Sequence, residues 1–211
     1  MKMALDLEEQ EQLDEFKAWW KQNGTYVIAA VAVFVIGVSG WKGWQIWSAK
    51  QAGEAMALYE RAVQAAMAND PKTVKEVTGQ IMDGYSGSGY AVPAAWLAGK
   101  TNFVAGDLKS ARAQYQYALD HAGDKGLQQL ARLRLASVQL DEKDYDGALK
   151  TLAVEPDAAF AALFADLKGD VLVEQGKKDE ARAAYQLALD KIDATSPMKA
   201  MVEAKLDGLG G

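Results

Sequence analysis

The sequence contains no cysteine and only one histidine, His121. Without thiols there can be no disulfide, no thiol catalysis and no cysteine-type zinc site. One histidine cannot build a two-histidine metal site, and no nucleophile, phosphate-loop or metalloprotease motif occurs in the chain. The sequence therefore predicts a protein that is not an enzyme and binds no metal or cofactor. We expect His121 to be a cation near a helix C-terminus, where the helix dipole favours positive charge.

Clustered positive charge is also missing. The chain has 23 lysines and arginines against 29 aspartates and glutamates, a net charge of −6. Binding of nucleic acid needs clustered lysine and arginine, which displace counterions from the phosphates. The composition therefore predicts no nucleic acid among the partners.

Charged side chains are absent from twenty consecutive residues, 22–41, which include the stretch NGTYVIAAVAVFVIGVSGW. A helix of that length covers about 30 Å, the thickness of the hydrocarbon core of a bilayer. Indole rings prefer the headgroup level. The tryptophans at the two ends of the stretch are Trp19 and Trp20 on one side and Trp41, Trp44 and Trp47 on the other. We predict a membrane anchor over residues 22–47, with these five tryptophans at the two interfaces with the lipid bilayer. The alternatives are a buried core helix and a cleaved signal sequence, whose apolar region is shorter.

The orientation of this anchor follows only weakly from charge. The lysines nearest the membrane are Lys2, Lys17 and Lys21 before the anchor and Lys42 and Lys50 after it. Because positive residues favour the cytoplasmic side, this slight excess predicts that residues 1–21 are a cytoplasmic tail and residues 48–211 lie outside. Leu13, Phe16 and Trp20 share one helical face of the tail, which indicates an interfacial helix or a helix that contacts a partner.

The remaining residues predict an all-α domain of repeated helical hairpins. Stretches with helical periodicity alternate with glycine, proline and polar turns, and runs of β-branched residues are few. Residues 98–119, 135–152 and 168–189 align with one another. Each stretch has a small residue in its first helix, then a polar turn, then an alanine, and four positions later a large residue. These positions are Gly99, Ala111 and Tyr115; Ala136, Ala148 and Leu152; and Gly169, Ala181 and Tyr185.

A period near 34 residues with this pattern is typical of tetratricopeptide repeats. Small residues let two antiparallel helices approach, and hairpins stack because one hairpin cannot bury its apolar face alone. We predict a single N-terminal transmembrane helix followed by a tetratricopeptide-like α-hairpin solenoid. Residues 49–85 resemble a degenerate first hairpin, and residues 196–211 fit a terminal capping helix. The alternative is a generic helical bundle in which the spacing is a coincidence.

The concave face of such a solenoid predicts where a protein segment binds. The first helix of each hairpin lines that face, so residues around the small position should point into a groove. The predicted groove residues are Trp96, Lys100, Phe103, Leu133, Ser137, Leu140, Asp166, Asp170 and Val173. An aromatic residue within an apolar and charged lining suits binding of a peptide or protein segment. The alternative is that Trp96 and Phe103 pack against the neighbouring hairpin.

The whole chain resembles the YfgM family, the ancillary subunits of the bacterial Sec translocon. The motifs that carry the resemblance are EFKAWWKQNG in the tail, GWQIW after the apolar stretch, and ADLKGDVLVEQGKKDEARAAYQLAL in the last repeat. The resemblance implies a single-pass protein of the inner membrane with a cytoplasmic N-terminus and a periplasmic repeat domain.

The resemblance also implies the partners. They are the SecYEG translocon and a PpiD-like membrane-anchored periplasmic chaperone, and the implied role is to assist secreted or envelope proteins as they leave the channel. The family has no catalytic residues to transfer to this sequence. The alternative function is a tetratricopeptide scaffold for another envelope-assembly or division complex.

Overall fold

The computed structural model describes the backbone of residues 2–193 and 195–210, and the side chains of residues 11–193 and 195–210. Every regular element within these residues is an α-helix, which confirms the predicted all-α class. The helices are α1 (Lys2–Met67), α2 (Pro71–Gly84), α3 (Ala91–Val104), α4 (Leu108–His121), α5 (Lys125–Asp141), α6 (Tyr145–Thr151), α7 (Ala158–Glu174), α8 (Lys178–Lys191) and α9 (Met198–Gly208). The chain divides into two compact units, Met1–Lys50 and Gln51–Gly211.

The first unit is part of α1, and its apolar side chains are exposed. Val33, Phe34 and Ile36 are 70–72% exposed. Only 6% of the most apolar part of the helix is buried. A core helix buries at least one apolar face, so these residues do not form the buried core helix considered above. Within the described residues, α1 holds the one segment that is long and apolar enough to span a membrane.

The second unit consists of helical hairpins that turn in the same way. The four tight turns pass through Asn69, Gly106, Lys143 and Gly176, which have φ values of 52°, 77°, 62° and 76°. A residue with a left-handed backbone conformation ends a helix abruptly, so the chain can turn within a few residues. In the first three hairpins the next residue caps the following helix. These caps are Asp70, Asp107 and Asp144, whose carboxylates accept hydrogen bonds from backbone N–H groups. The degenerate first hairpin thus has the same turn as the others.

The small residues of the repeat contact the large ones directly. A Cβ atom on Gly99 would lie 2.8 Å from Cε1 of Tyr115, and a Cβ on Gly169 would overlap the ring of Tyr185 more severely. In the middle hairpin, Ala136 and Leu152 belong to one buried cluster. In this hairpin the small position holds alanine instead of glycine, and the large position holds the shorter leucine instead of tyrosine. The repeat pattern therefore encodes how closely the two helices of each hairpin approach.

The second helix of the middle hairpin is shorter than the sequence predicts. The periodic stretches of the sequence are about 12–20 residues long and predict helices of that length, but α6 has 7 residues. Pro156 follows closely, lacks an N–H donor and disfavours helical dihedral angles at the residue before it. Buried glutamines hold the end of α6 and the segment after it: Thr151 Oγ1 donates to Oε1 of Gln139 at 2.7 Å, and the Asp157 N–H donates to Oε1 of Gln129 at 2.8 Å.

The solenoid ends in α9, at the position of the predicted capping helix. Val202 is fully buried, in one cluster with Tyr185 and Ala188 of α8. Arg182 of α8 also donates a hydrogen bond to the carbonyl oxygen of Gly210. A terminal helix of this kind covers the apolar face that a further hairpin would otherwise occupy.

Candidate functional site

Helices α3 and α5 form most of the walls of an open groove with a volume of about 640 Å³. Trp96, Lys100 and Phe103 follow one another at i, i+4 and i+7 on α3 and line the groove together with Ser137 of α5. We call this surface the α3–α5 groove. The other residues that line it are Tyr59, Val92, Pro93, Leu97, Val104, Tyr115, Leu127, Leu130, Arg134 and Val138. The structure thus brings together four of the nine residues that the sequence predicted.

The repeat pair Gly99 and Tyr115 positions the central aromatic residue of this groove. Because Gly99 has no side chain, the buried ring of Tyr115 lies directly on α3. Trp96 meets that ring edge to face, with 5.7 Å between the ring centroids. Burial raises the pKa of Tyr115 above its usual value. Both rings line the groove.

The polar groups of the α3–α5 groove are mainly hydrogen-bond donors. Lys100 and Arg134 are exposed, and neither has a hydrogen bond or an ion pair with any described residue. Among the described residues that line the groove, there is no aspartate or glutamate. The Ser137 hydroxyl donates to the Leu133 carbonyl oxygen at 2.9 Å. Trp96 Nε1 is buried without an acceptor in the described part of the chain.

Three further predicted residues, Leu140, Asp170 and Val173, line a second depression of about 440 Å³. The other residues that line it are Asp141, Lys143, Tyr145, Glu174 and Tyr185. Helix α5 contributes to both surfaces, because Ser137 and Leu140 are one helical turn apart. The second depression carries more acidic than basic side chains, in contrast to the α3–α5 groove.

The structure corrects the predicted placement of Leu133 and Asp166, since neither lies on an open surface. Leu133 is buried in a cluster with Phe164 and Val171, because α7 packs against this part of α5. Asp166 is buried and its Oδ1 lies 2.8 Å from Nζ of Lys205 on α9. In both cases a neighbouring helix covers a position that repeat geometry alone left open.

Lys205 joins the capping helix to two acidic residues of α7. Its Nζ lies 2.8 Å from Asp166 and 2.7 Å from Asp170, and the Tyr185 hydroxyl donates to Asp170 at 2.8 Å. Burial raises the pKa of Asp166 despite the nearby lysine. Burial alone would lower the pKa of Lys205, but its hydrogen bonds to Asp166 and Asp170 raise it above the usual value. The cluster therefore holds α9 in place and leaves Asp166 closed to partners.

The sequence-based prediction missed Arg134, Leu127 and Leu130 in the α3–α5 groove. With Ser137 they occupy spacings of three and four residues along α5, which place them on one helical face. That periodicity was available in the sequence. The alignment of the repeats instead assigned Leu133 to the groove-facing side of α5, and the structure places Leu133 in the core.

The five predicted interface tryptophans are all exposed on α1 of the first unit, between 43% and 60%. Phe16 stacks with Trp19 and Trp20, with centroids 6.3 and 6.2 Å apart, and Trp41 lies 5.6 Å from Trp44. The helical rise from Trp20 to Trp41 is about 30 Å. The two aromatic groups are therefore about one hydrocarbon core apart along this helix, as in proteins with aromatic belts at both interfaces.

A family model described as a tetratricopeptide repeat-like domain matches residues 17–211. A relative from Neisseria gonorrhoeae is 34% identical over 208 residues, which cover 98% of this chain and 100% of the relative; it is named ancillary SecYEG translocon subunit. The chain belongs to this family. The resemblance inferred from the tail, the apolar stretch and the last repeat is therefore confirmed.

Two further relatives of the family have the same name. The Haemophilus influenzae protein is 32% identical and is matched over 91% of its length and 88% of this chain. The Escherichia coli protein is 31% identical and is matched over 96% of its length and 95% of this chain. The match to the family model includes both the apolar segment of α1 and the α3–α5 groove, so family membership extends to both candidate sites.

The one histidine of this family member lies at the end of α4. The ring of His121 stacks on Tyr117 at 3.9 Å, and Nδ1 lies 2.9 Å from the Tyr117 carbonyl oxygen. In the described residues there is no group of three or more histidine, aspartate or glutamate side chains that could hold a metal ion. What the described surfaces offer chemically is apolar burial, hydrogen-bond donation and charge, which are the means of binding a protein segment.

Proposed function

We propose that this protein is a membrane-anchored, non-enzymatic scaffold of the Sec machinery. It stands beside SecYEG, binds a PpiD-like membrane-anchored periplasmic chaperone, and assists secreted and envelope proteins as they leave the channel. The names of its relatives support the association with SecYEG. The observation that carries the binding role is the α3–α5 groove, where half-buried apolar side chains and the exposed Val104 and Leu127 surround Trp96 and Phe103. A concave apolar surface with a few polar groups suits the binding of a protein segment.

The proposed topology places residues 1–21 in the cytoplasm, residues 22–47 across the inner membrane and residues 48–211 in the periplasm. The exposed apolar side chains of α1 and its two groups of tryptophans support the membrane span. Anchoring confines the repeat domain to a thin layer beside the translocon. Because the membrane anchor holds the domain near its partners, the effective concentration of the domain there is raised.

Protease protection tests the topology directly. Added protease should cut residues 48–211 in spheroplasts, where the periplasmic face is accessible, and should leave them intact in inside-out vesicles. The reverse pattern would contradict the orientation. Recovery of the full chain in the soluble fraction after lysis would contradict the anchor itself.

Site-specific photo-crosslinking tests the partners. A photoreactive residue at position 96 or 103 should give crosslinks to the chaperone or to chains that leave SecYEG. The same residue at Lys109, which is exposed at the start of α4, should give few. Crosslinks dominated by division or outer-membrane assembly proteins would support the alternative scaffold function instead. Replacing residues 1–47 with an unrelated membrane anchor tests whether capture of SecYEG depends on this segment.

A further inference from the structure

We infer that the partner segment in the α3–α5 groove is an apolar peptide segment that carries carboxylate side chains, which pair with Lys100 and Arg134. This inference rests on the proposed function, because it names the chemistry of the segment that the scaffold binds. It goes beyond that function because it predicts a measurable preference for one kind of sequence.

The first support is the charge of the groove. The chain as a whole has a net charge of −6, yet Lys100 and Arg134 are the charged residues that line this surface within the described chain. Some cations of the domain are paired: Arg112, for example, lies 2.9 Å from both Glu142 and Asp144. Lys100 and Arg134 have no partner among the described residues. The two cations are solvated while the groove is open. A partner that covers them with apolar surface must also supply an anion, because burying an unpaired charge is unfavourable.

The second support is the balance of donors and acceptors. Lysine and arginine side chains only donate hydrogen bonds, and the Ser137 hydroxyl already donates to a backbone carbonyl. A surface rich in donors is complemented by a partner rich in acceptors, and carboxylates are the strongest acceptors among side chains.

The third support favours a peptide over an anionic lipid. One turn further along α5, the second depression is lined by Asp141, Glu174 and Asp170, and Lys205 offsets the charge of Asp170. Lys143 is the one cation in this lining within the described chain. A ligand that crosses α5 therefore meets positive charge first and mostly negative charge next. A peptide can vary its charge along its length to match both surfaces. An anionic lipid, which carries negative charge only, would be attracted at one surface and repelled at the other.

Binding of labelled peptides to the full-length protein in phosphatidylcholine nanodiscs tests the inference. Three peptides share one apolar sequence and differ at two positions, which hold glutamate, glutamine or lysine. Fluorescence anisotropy should show the glutamate peptide binding about tenfold more tightly than the glutamine peptide, with the lysine peptide weakest. The difference should shrink as salt is raised, because exposed charges are screened.

Charge reversal makes the test specific to this groove. The variant K100E/R134E should bind the lysine peptide most tightly. The matched control K109E/K178E makes the same change of charge at exposed residues outside the groove and should keep the wild-type order. Circular dichroism checks that each variant is folded. If K100E/R134E does not fold, the milder K100Q/R134Q should abolish the difference between the glutamate and glutamine peptides.

Each contrary result has a definite meaning. Equal binding of the glutamate and glutamine peptides, or a glutamate preference that survives in a folded groove variant, would overturn the inference. Displacement of the glutamate peptide by phosphatidylglycerol vesicles, dependent on Lys100 and Arg134, would assign the groove to lipid and overturn it too. Capture of SecYEG and the chaperone by the wild-type protein is measured separately. Capture without a glutamate preference refutes only this inference, whereas a glutamate preference without capture refutes only the proposed function.

Discussion

The ring of Tyr185 lies on the backbone of Gly169, so closely that a single added methyl group would overlap the ring. Gly169 and Tyr185 belong to the two helices of one hairpin, α7 and α8. Tyr115 lies on Gly99 in the same way, and in the middle hairpin Ala136 and Leu152 share a cluster. The two positions are therefore a matched pair, and changing one member alone should cost stability.

We predict that Gly169→Ala destabilises the protein by about 1–3 kcal/mol, because the new methyl group forces the ring or a helix to move. Replacing glycine with alanine inside a helix normally stabilises the protein by about 1 kcal/mol. The destabilisation expected here therefore has the opposite sign. Denaturant unfolding of the full-length protein in detergent, followed by circular dichroism, measures the change. Gly79→Ala is the control: Gly79 lies in α2 with nothing within 4 Å of an added Cβ, so this change should stabilise the protein.

A double-mutant cycle tests the pairing itself. In a Tyr185→Leu background, Gly169→Ala should be neutral or stabilising, because the pair then resembles Ala136 and Leu152. An equal cost of Gly169→Ala in both backgrounds would mean that the ring does not limit the approach of the two helices.

The turn before α8 lacks the carboxylate cap of the other hairpins. Lys177 has φ −88° and ψ 67°, close to the values of −83° and 72° at Asp107, but its side chain forms no capping hydrogen bond. We predict that Lys177→Asp stabilises the protein by about 1 kcal/mol, since the new carboxylate can accept from a backbone N–H of the first turn. Thermal unfolding measures the effect.

The control for this prediction is Lys178→Asp, one residue further on and already inside α8. It makes the same change of charge but cannot cap the helix. Equal stabilisation by both changes would show that the helix dipole, and not the cap, is responsible. The acidic residues Asp179 and Glu180 in the same first turn reduce the gain from either change.

Removing the Lys205 ammonium should destabilise the attachment of α9. Lys205→Met leaves the buried carboxylate of Asp166 beside Asp170 without a cation, and we expect a loss of about 1–3 kcal/mol at pH 7. The pKa of Asp166 is already raised by burial, and without the lysine it should rise further. The folded protein then takes up a proton more readily than the unfolded chain, so the loss should shrink as the pH falls through that raised pKa.

Unfolding free energies of wild type and Lys205→Met at several pH values between neutrality and about pH 4 test this expectation. The double variant D166N/K205M should lose less stability than K205M alone and should show a weaker dependence on pH. A deficit of K205M that is the same at every pH would indicate lost packing instead of an unpaired charge.

A charge in the middle of the apolar segment should oppose membrane insertion. Val33 lies near the centre of residues 22–41 and is exposed on α1. Lysine at the centre of a membrane helix costs about 3 kcal/mol on insertion scales, so Val33→Lys should raise the fraction of protein that alkaline carbonate extracts from membranes. Val33→Leu should leave extraction unchanged. If Val33→Lys stays fully membrane-bound, other parts of the chain must contribute to the attachment.

Most of the fold could be predicted because its determinants are local. Twenty uncharged residues between tryptophans predict a spanning helix wherever they occur. The left-handed turn residues Gly106 and Gly176, the caps Asp107 and Asp144, and the small and large repeat positions all act within one hairpin. The exception is α6, which is shorter than the repeat spacing predicts and is followed closely by Pro156.

The groove could be predicted only in part. The spacing of Trp96, Lys100 and Phe103 on α3 was sufficient to place them on one face, and the structure places all three in one groove. Arg134 was missed because the face of α5 was aligned on Leu133.

By itself, the sequence determined the class of the protein: an exposed apolar helix, then stacked hairpins whose paired residues set the distance between helices. These features depend on hydrophobicity, helical periodicity and turn chemistry, which act over a few residues or within one hairpin. Only the tertiary structure decided which surfaces stay open. The packing of α7 covers Leu133 and the contact of Lys205 on α9 covers Asp166, while Lys100 and Arg134 remain without partners among the described residues. Accessibility depends on what neighbouring helices bury, and residues far apart in the chain provide those helices.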